Sequence, residues 1–309
     1  MFRRLEAAMR LTGLHILYTY QCTFECDHCF VWGSPWQSGT FTLEKLQSVF
    51  DQAVEVKTIE WIYFEGGEPF MYHPALVLAA KTAAAMGFKI GIVTNAYWAT
   101  SFEDALEWLK PFSGLLSDLS VSSDLYHYDE AISRQARNAV QAAESLRLPV
   151  GMIRIAQPEA QEANRTVGQL LPDESGVMYR GRAVEKLAGR AAMLPWNEFI
   201  ACPYEDLREP GRVHLDPLGY LHICQGITIG NLFQKPLTDV CSGYDPDRHP
   251  IVTPLLSGGP VELVRYYNLP HAEVYADACH LCYTARLALR SRFPGVLHPD
   301  QMYGVFDGH

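Results

Sequence analysis

The sequence has no apolar run approaching the ~20 residues that a membrane-spanning helix needs. Its start, Met1-Phe2-Arg3-Arg4, leads into no sustained apolar segment, so a secretory signal is not expected and the compartment is read as cytoplasmic. Positive charge is scarce: 25 Lys and Arg stand against 35 Asp and Glu, for a formal net charge of −10. Phosphate binding draws on clustered Lys and Arg, so this balance argues against a nucleic-acid partner. Arg180, Arg182, Lys186 and Arg190 do lie close together, and they read as one solvated helix face. Internal repeats and low-complexity segments are also missing. What is present is a hydrophobic content of 48% over 309 residues, enough for one full α/β barrel and a smaller module.

Eight cysteines sit at 22, 26, 29, 202, 224, 241, 279 and 282. In a chain of this size, without a secretory signal and with C-x2-C units, they fit metal ligation better than a disulfide framework. Three fall within Cys22-Thr23-Phe24-Glu25-Cys26-Asp27-His28-Cys29. Three thiolates would leave one position of a bound centre free for something that is not a cysteine. Iron–sulfur clusters are held by such short cysteine runs. A zinc site is the alternative, with His28 as a fourth ligand.

The chain alternates strands and helices. Strands are expected at 14–20, 59–64, 88–94, 115–122 and 150–155, and helices at 43–56, 73–86, 102–109 and 128–146. Pro74 suits a first helical turn. This beat implies parallel pairing with right-handed crossovers. A helix at 162–171 and a weak strand at 176–179 would complete a sixth unit. Near residue 195 the texture changes. Val213 and Leu215, then Asp216-Pro217-Leu218-Gly219, then Tyr220, Leu221 and Ile223 read as a hairpin. Residues 243–260 read as loop, and a helix is expected to open at Cys279 and run to about residue 292.

Gly66-Gly67-Glu68-Pro69 follows the second strand. C-x3-C-x2-C after one strand and GGEP after the next, about 40 residues apart, resemble the radical S-adenosylmethionine (radical SAM) enzymes. The resemblance spans about residues 12 to 155. It implies a partial (β/α)6 TIM-type barrel, a [4Fe–4S] cluster on Cys22, Cys26 and Cys29, and S-adenosylmethionine (SAM) chelating the open iron. It further implies reductive cleavage of SAM, hydrogen-atom abstraction from substrate, and a flavodoxin- or ferredoxin-type electron donor. By the same resemblance Gly66, Gly67, Glu68 and Pro69 contact the SAM amino group, with Glu68 as counter-charge. His28 touches adenine, Asn95 and Ser122 the ribose or methionine, and Arg134 the carboxylate. The family's G-x-I-x-G-x-x-E pattern is missing at the fifth strand, where Gly151-Met152-Ile153-Arg154 is only a fragment.

Cys202, Gly219-x4-Cys224 and the Cys279/Cys282 pair resemble the SPASM/twitch extensions of these enzymes. They imply a C-terminal β-hairpin/helix module with one auxiliary [4Fe–4S] cluster, or a structural zinc on the same thiolates. The expected division is 1–190 for the barrel and 191–309 for this module. Gly181-Arg182-Ala183 is read as a tight joint between them. Cys241 is left over: it reads as a buried thiol, or more sharply as a hydrogen donor to a substrate radical or a substitute ligand. The expected substrate is a peptide or a small molecule of sugar or aminoglycoside type. Peptide modifiers often carry a leader-binding domain of about 80 residues, for which the lead-in is too short, though a separate protein can supply one. A non-catalytic iron–sulfur or zinc scaffold that moves electrons or binds a partner is the alternative function.

Overall fold

The computed structural model describes residues 9–160 and 174–306. In chain order it forms β1 (Gly13–Thr19), α1 (Leu43–Val56), β2 (Trp61–Gly66), α2 (His73–Ala85), β3 (Lys89–Thr94), α3 (Phe102–Leu109), β4 (Leu116–Ser122), α4 (Arg134–Ser145), β5 (Val150–Ile155) and β6 (Glu174–Ser175). Then come β7 (Leu194–Pro195), β8 (Arg212–Leu215), β9 (Tyr220–Cys224), β10 (Ile227–Asn231) and β11 (Val274–Tyr275). Helices at Arg182–Lys186, Leu237–Gly243, Val252–Tyr267 and Ala278–Leu289 separate these later strands.

This is an α/β fold on a mostly parallel sheet. The order is β10-β9-β8-β1-β2-β3-β4-β5-β6, with β7 and β11 paired apart from it. Strands β1 to β6 lie in sequence order and all pair in parallel, as the strand-helix alternation predicts. The hairpin β8–β9 is present, and β8 pairs in parallel with the free side of β1. The boundary expected at residue 190 therefore runs through one continuous sheet.

Local chemistry sets the helix ends. The Thr42, Ser101 and Ser133 side chains accept from backbone amides in the first turns of α1, α3 and α4. Helix α1 buries Leu46, Val49, Phe50 and Ala53, the stripe its spacing predicts. Helix α4 starts six residues later than expected. Asp124 accepts from the Tyr126 amide at 3.0 Å, and Ser133 takes the cap. These polar side chains hold 124–132 as a loop over the strand ends.

Other expectations shift as well. The helix expected at 162–171 lies outside the described residues. The sixth strand is only Glu174–Ser175. Residues 176–179 instead turn toward the later helices, where the Tyr179 amide donates to Asp277 at 3.2 Å. The stretch 243–260 is not simply loop. It contains the first turns of Val252–Tyr267, whose helical geometry breaks at Gly258 and Gly259, with φ of +65° at Gly259.

Candidate cofactor cavity and four-thiol cluster

The C-terminal ends of β1 to β5 surround a cavity of about 270 Å³. Cys22, Cys26, His28 and Cys29 line it together with Gly66, Gly67, Asn95, Ser122, Ile153, Ile155 and Arg180. Three cysteines on a strand-end loop at the mouth of a parallel sheet occupy the place where such folds put chemistry.

The cysteine loop is held from both sides. The Cys22 amide donates to Ser34 O at 3.0 Å. Arg182 is buried, and its guanidinium donates to Cys26 O at 2.8 Å and Gly33 O at 2.9 Å. Donors also reach the sulfurs. The Gly33 amide lies 3.2 Å from Cys29 Sγ, and Asn95 Nδ2 lies 3.6 Å from Cys22 Sγ. Burial lifts the Cys22 thiol to about 12 and the Cys26 thiol well above its usual range. As thiols they stay protonated; a bound metal drives the proton off. The soft donor set, the donors aimed at sulfur and the adjoining space fit an iron–sulfur cluster and SAM.

His28 lies on the cavity wall with its ring 4.8 Å from Tyr126 and 5.5 Å from His127. Burial lowers it to about 4, so its imidazole is neutral. Cys26 Sγ and ring nitrogens of His28 and His127 all lie within 4.8 Å of one another.

Within the GGEP turn Gly66 and Gly67 line the cavity and also meet a packing demand. Gly66 has φ of +123°, and a Cβ there would stand 2.6 Å from Thr19 O. A Cβ on Gly67 would stand 1.9 Å from Gln21 O. Both glycines thus let β2 pack against the end of β1, backbone on backbone, beside the cavity. Glu68 is fully buried behind the cavity wall. Oε1 accepts from the Phe70 amide and the Thr94 hydroxyl, each at 2.9 Å, and Oε2 from the Asn95 amide at 2.7 Å. It is a bracket between β2 and β3, and neither it nor Pro69 lines the cavity. Burial raises Glu68 to about 7, against the pull of these hydrogen bonds.

Arg134 is exposed at the start of α4 and does not line the cavity. The arginine that does is Arg180. The reading of Arg180 and Arg182 as a solvated helix face is corrected: both are buried. Arg182 opens the short helix Arg182–Lys186, which tucks under the cysteine loop, and Arg180 lies just before it. There a Cβ on Gly181, at φ of +61°, would stand 2.7 Å from Cys29 O. Spacing alone carried no sign of this burial, nor of the roles of Asp124 and His127 beside His28.

Cys202, Cys224, Cys279 and Cys282 come together around a small enclosed space of about 20 Å³, with Arg180 and Arg286. Burial lifts Cys282 to about 11, with Arg286 pulling the other way. Arg180 lines both this space and the larger cavity. Its Nη1 lies 3.3 Å from Glu205 Oε1 and 3.6 Å from Cys224 Sγ, and its guanidinium sits over Phe30. All eight cysteines are free. Cys241 is the exception to the clusters. It is buried in Leu237–Gly243 among apolar residues and lines neither space, which removes it as a hydrogen donor or ligand.

Residues 16–147 match the family model for the radical SAM superfamily. YydG of Bacillus subtilis (strain 168), named for peptide biosynthesis, is 25% identical over 122 residues, 39% of this chain and 38% of that protein. An S-adenosylmethionine-dependent nucleotide dehydratase of Fibrobacter sp. (strain UWH6) is 29% identical over 118 residues, 36% of this chain and 33% of that one. The matches thus span under two fifths of these curated relatives. Among solved structures, BtrN in complex with AdoMet and 2-DOIA superposes with a TM-score of 0.51 at 15% identity, over 77% of this chain and 85% of that one. Native anSMEcpe with bound AdoMet gives 0.50 at 12% identity, over 92% and 97%. These two likenesses are of fold. The sequence match thus marks residues 16–147, from β1 to α4, as a radical SAM superfamily domain, and the solved structures share its fold.

Proposed function

We propose that this chain is an enzyme that cleaves SAM reductively at a [4Fe–4S] cluster held by Cys22, Cys26 and Cys29 and abstracts a hydrogen atom from its substrate. The observation that carries the reading is the convergence of three thiols, with donors on two of their sulfurs, on one cavity at the strand ends. When bound, the cluster supplies the electron that breaks the sulfonium bond of SAM. The chain's own contribution is positional. Arg182 fixes the loop by its two carbonyl contacts. Ile153 and Ile155 contribute apolar lining to the cavity, and Asn95 and Ser122 contribute polar atoms.

Residues 191–309 are proposed as a twitch-like segment whose Cys202, Cys224, Cys279 and Cys282 hold an auxiliary cluster, with Arg180 and Arg286 offsetting its charge. The substrate is proposed to be a peptide or a small sugar- or aminoglycoside-like molecule. YydG's name supports the first. A flavodoxin- or ferredoxin-type protein is the proposed electron source. Among the described residues no helix is long and apolar enough to cross a membrane.

The test is anaerobic reconstitution with iron and sulfide, then dithionite and SAM, with 5′-deoxyadenosine read by mass spectrometry. Wild type should form it and Cys26→Ala should not. Wild type with a loaded first cluster and no 5′-deoxyadenosine would mark a scaffold.

A further inference from the structure

Just below the cavity, His15, Glu65 and His214 meet. They come from β1, β2 and β8, three neighbouring strands, and lie far apart in sequence. His15 and His214 are register partners, so their side chains leave the sheet on one face. Tyr63 pairs with His15, and Glu65 stands two residues further toward the strand ends on that same face, where it lines the cavity. Glu65 Oε1 is 3.0 Å from His214 Nε2 and 3.4 Å from His15 Nδ1. Ligand atoms at about 2.1 Å from one ion stand about 3.0–3.5 Å apart, the same spacing. No hydrogen bond of good angle reaches Glu65 Oε1 or His15 Nδ1 among the described residues, although both atoms are buried. Buried polar atoms that approach one another without bonding lack the partner that satisfies them.

We propose that His15, Glu65 and His214 form a binding site for a divalent first-row transition ion, at the floor of the cavity and separate from both cysteine clusters. Two imidazoles and one carboxylate suit manganese, iron(II) or zinc and leave coordination positions open. Packing prepares the ligands. His15 stacks on Tyr63 at 4.7 Å, and Phe30 meets the His214 ring edge-on at 5.9 Å. The site does not depend on SAM cleavage.

The experiment is a Mn(II) titration of the cluster-loaded protein without oxygen, followed by the electron paramagnetic resonance of free Mn(II). Manganese favours nitrogen and oxygen over thiolate, so the cysteines do not compete. Wild type should take up one Mn(II) per chain. Glu65→Gln and His15→Asn, each checked by far-UV circular dichroism, should bind at least about tenfold more weakly. A Cys22→Ala variant should keep the site, which separates this result from the fate of the proposed reaction. No uptake by wild type, or unchanged uptake by either folded ligand variant, overturns the proposal.

Discussion

Gly67→Ala tests what the GGEP glycines are for. A Cβ at this position would lie 1.9 Å from Gln21 O and 2.5 Å from the Gln21 carbonyl carbon. Carbon–oxygen contacts begin near 3.3 Å, so the overlap is about 1.4 Å. Both sides are backbone, and no side-chain rotation relieves it. Overpacking of this kind costs about 3 kcal/mol, the upper part of the usual range. At about 2–4 °C per kcal/mol for a chain of this size, the midpoint of thermal unfolding should fall by about 6–12 °C. The decisive sample is metal-free protein with no SAM. If glycine is needed for packing against β1, the loss is full there. Gln21 precedes Cys22, so iron retention should fall too. If glycine is needed only for close approach to SAM, the metal-free variant melts like wild type and only SAM binding suffers. That second outcome would refute the packing argument.

Three further outcomes are expected. Glu68 has its folded value raised to about 7 from 4.5, so the stability it lends is complete below pH 4.5 and is lost as pH rises through 7. Urea unfolding at pH 5 and pH 8 should show wild type losing up to about 3 kcal/mol relative to Glu68→Gln, and parallel pH profiles would contradict this. Arg182→Gln removes two charged donors from buried carbonyls of the cysteine loop, and urea unfolding should register a loss of about 3–5 kcal/mol together with poorer iron retention. Cys282→Ala should cut reconstituted iron by about four atoms per chain, and if zinc falls instead the four-thiol site is structural zinc.

Much of the frame was legible in the chain. The alternation of β-rich runs with amphipathic helices announced β1 to β5 and their parallel order, and Asp216-Pro217-Leu218-Gly219 announced the hairpin. Cysteine spacing marked both thiol groups, because a ligand set is written in residue type. Residues whose roles depend on burial were not legible. Arg180 and Arg182 read as solvated because the segment is short and charged, and only the fold shows both buried beside the cysteine loop. Glu68 read as a charge for a ligand because its three donors come from Phe70, just after β2, and from Thr94 and Asn95 at the end of β3. His15, Glu65 and His214 carry no spacing signal at all, since strand pairing alone brings them together. Arg134 and Cys241 were chosen by position and by elimination, and the fold sends both elsewhere.

The pairing of β8 with β1 bears on how this chain can be divided. Residues 212 to 215 are the neighbour that β1 has on the side away from β2. A fragment cut at the barrel's apparent end would bare a row of amides and carbonyls along an apolar central strand, an invitation to recruit other copies. Expression trimming, domain swapping and chimera design should therefore treat the late hairpin as native to the first half.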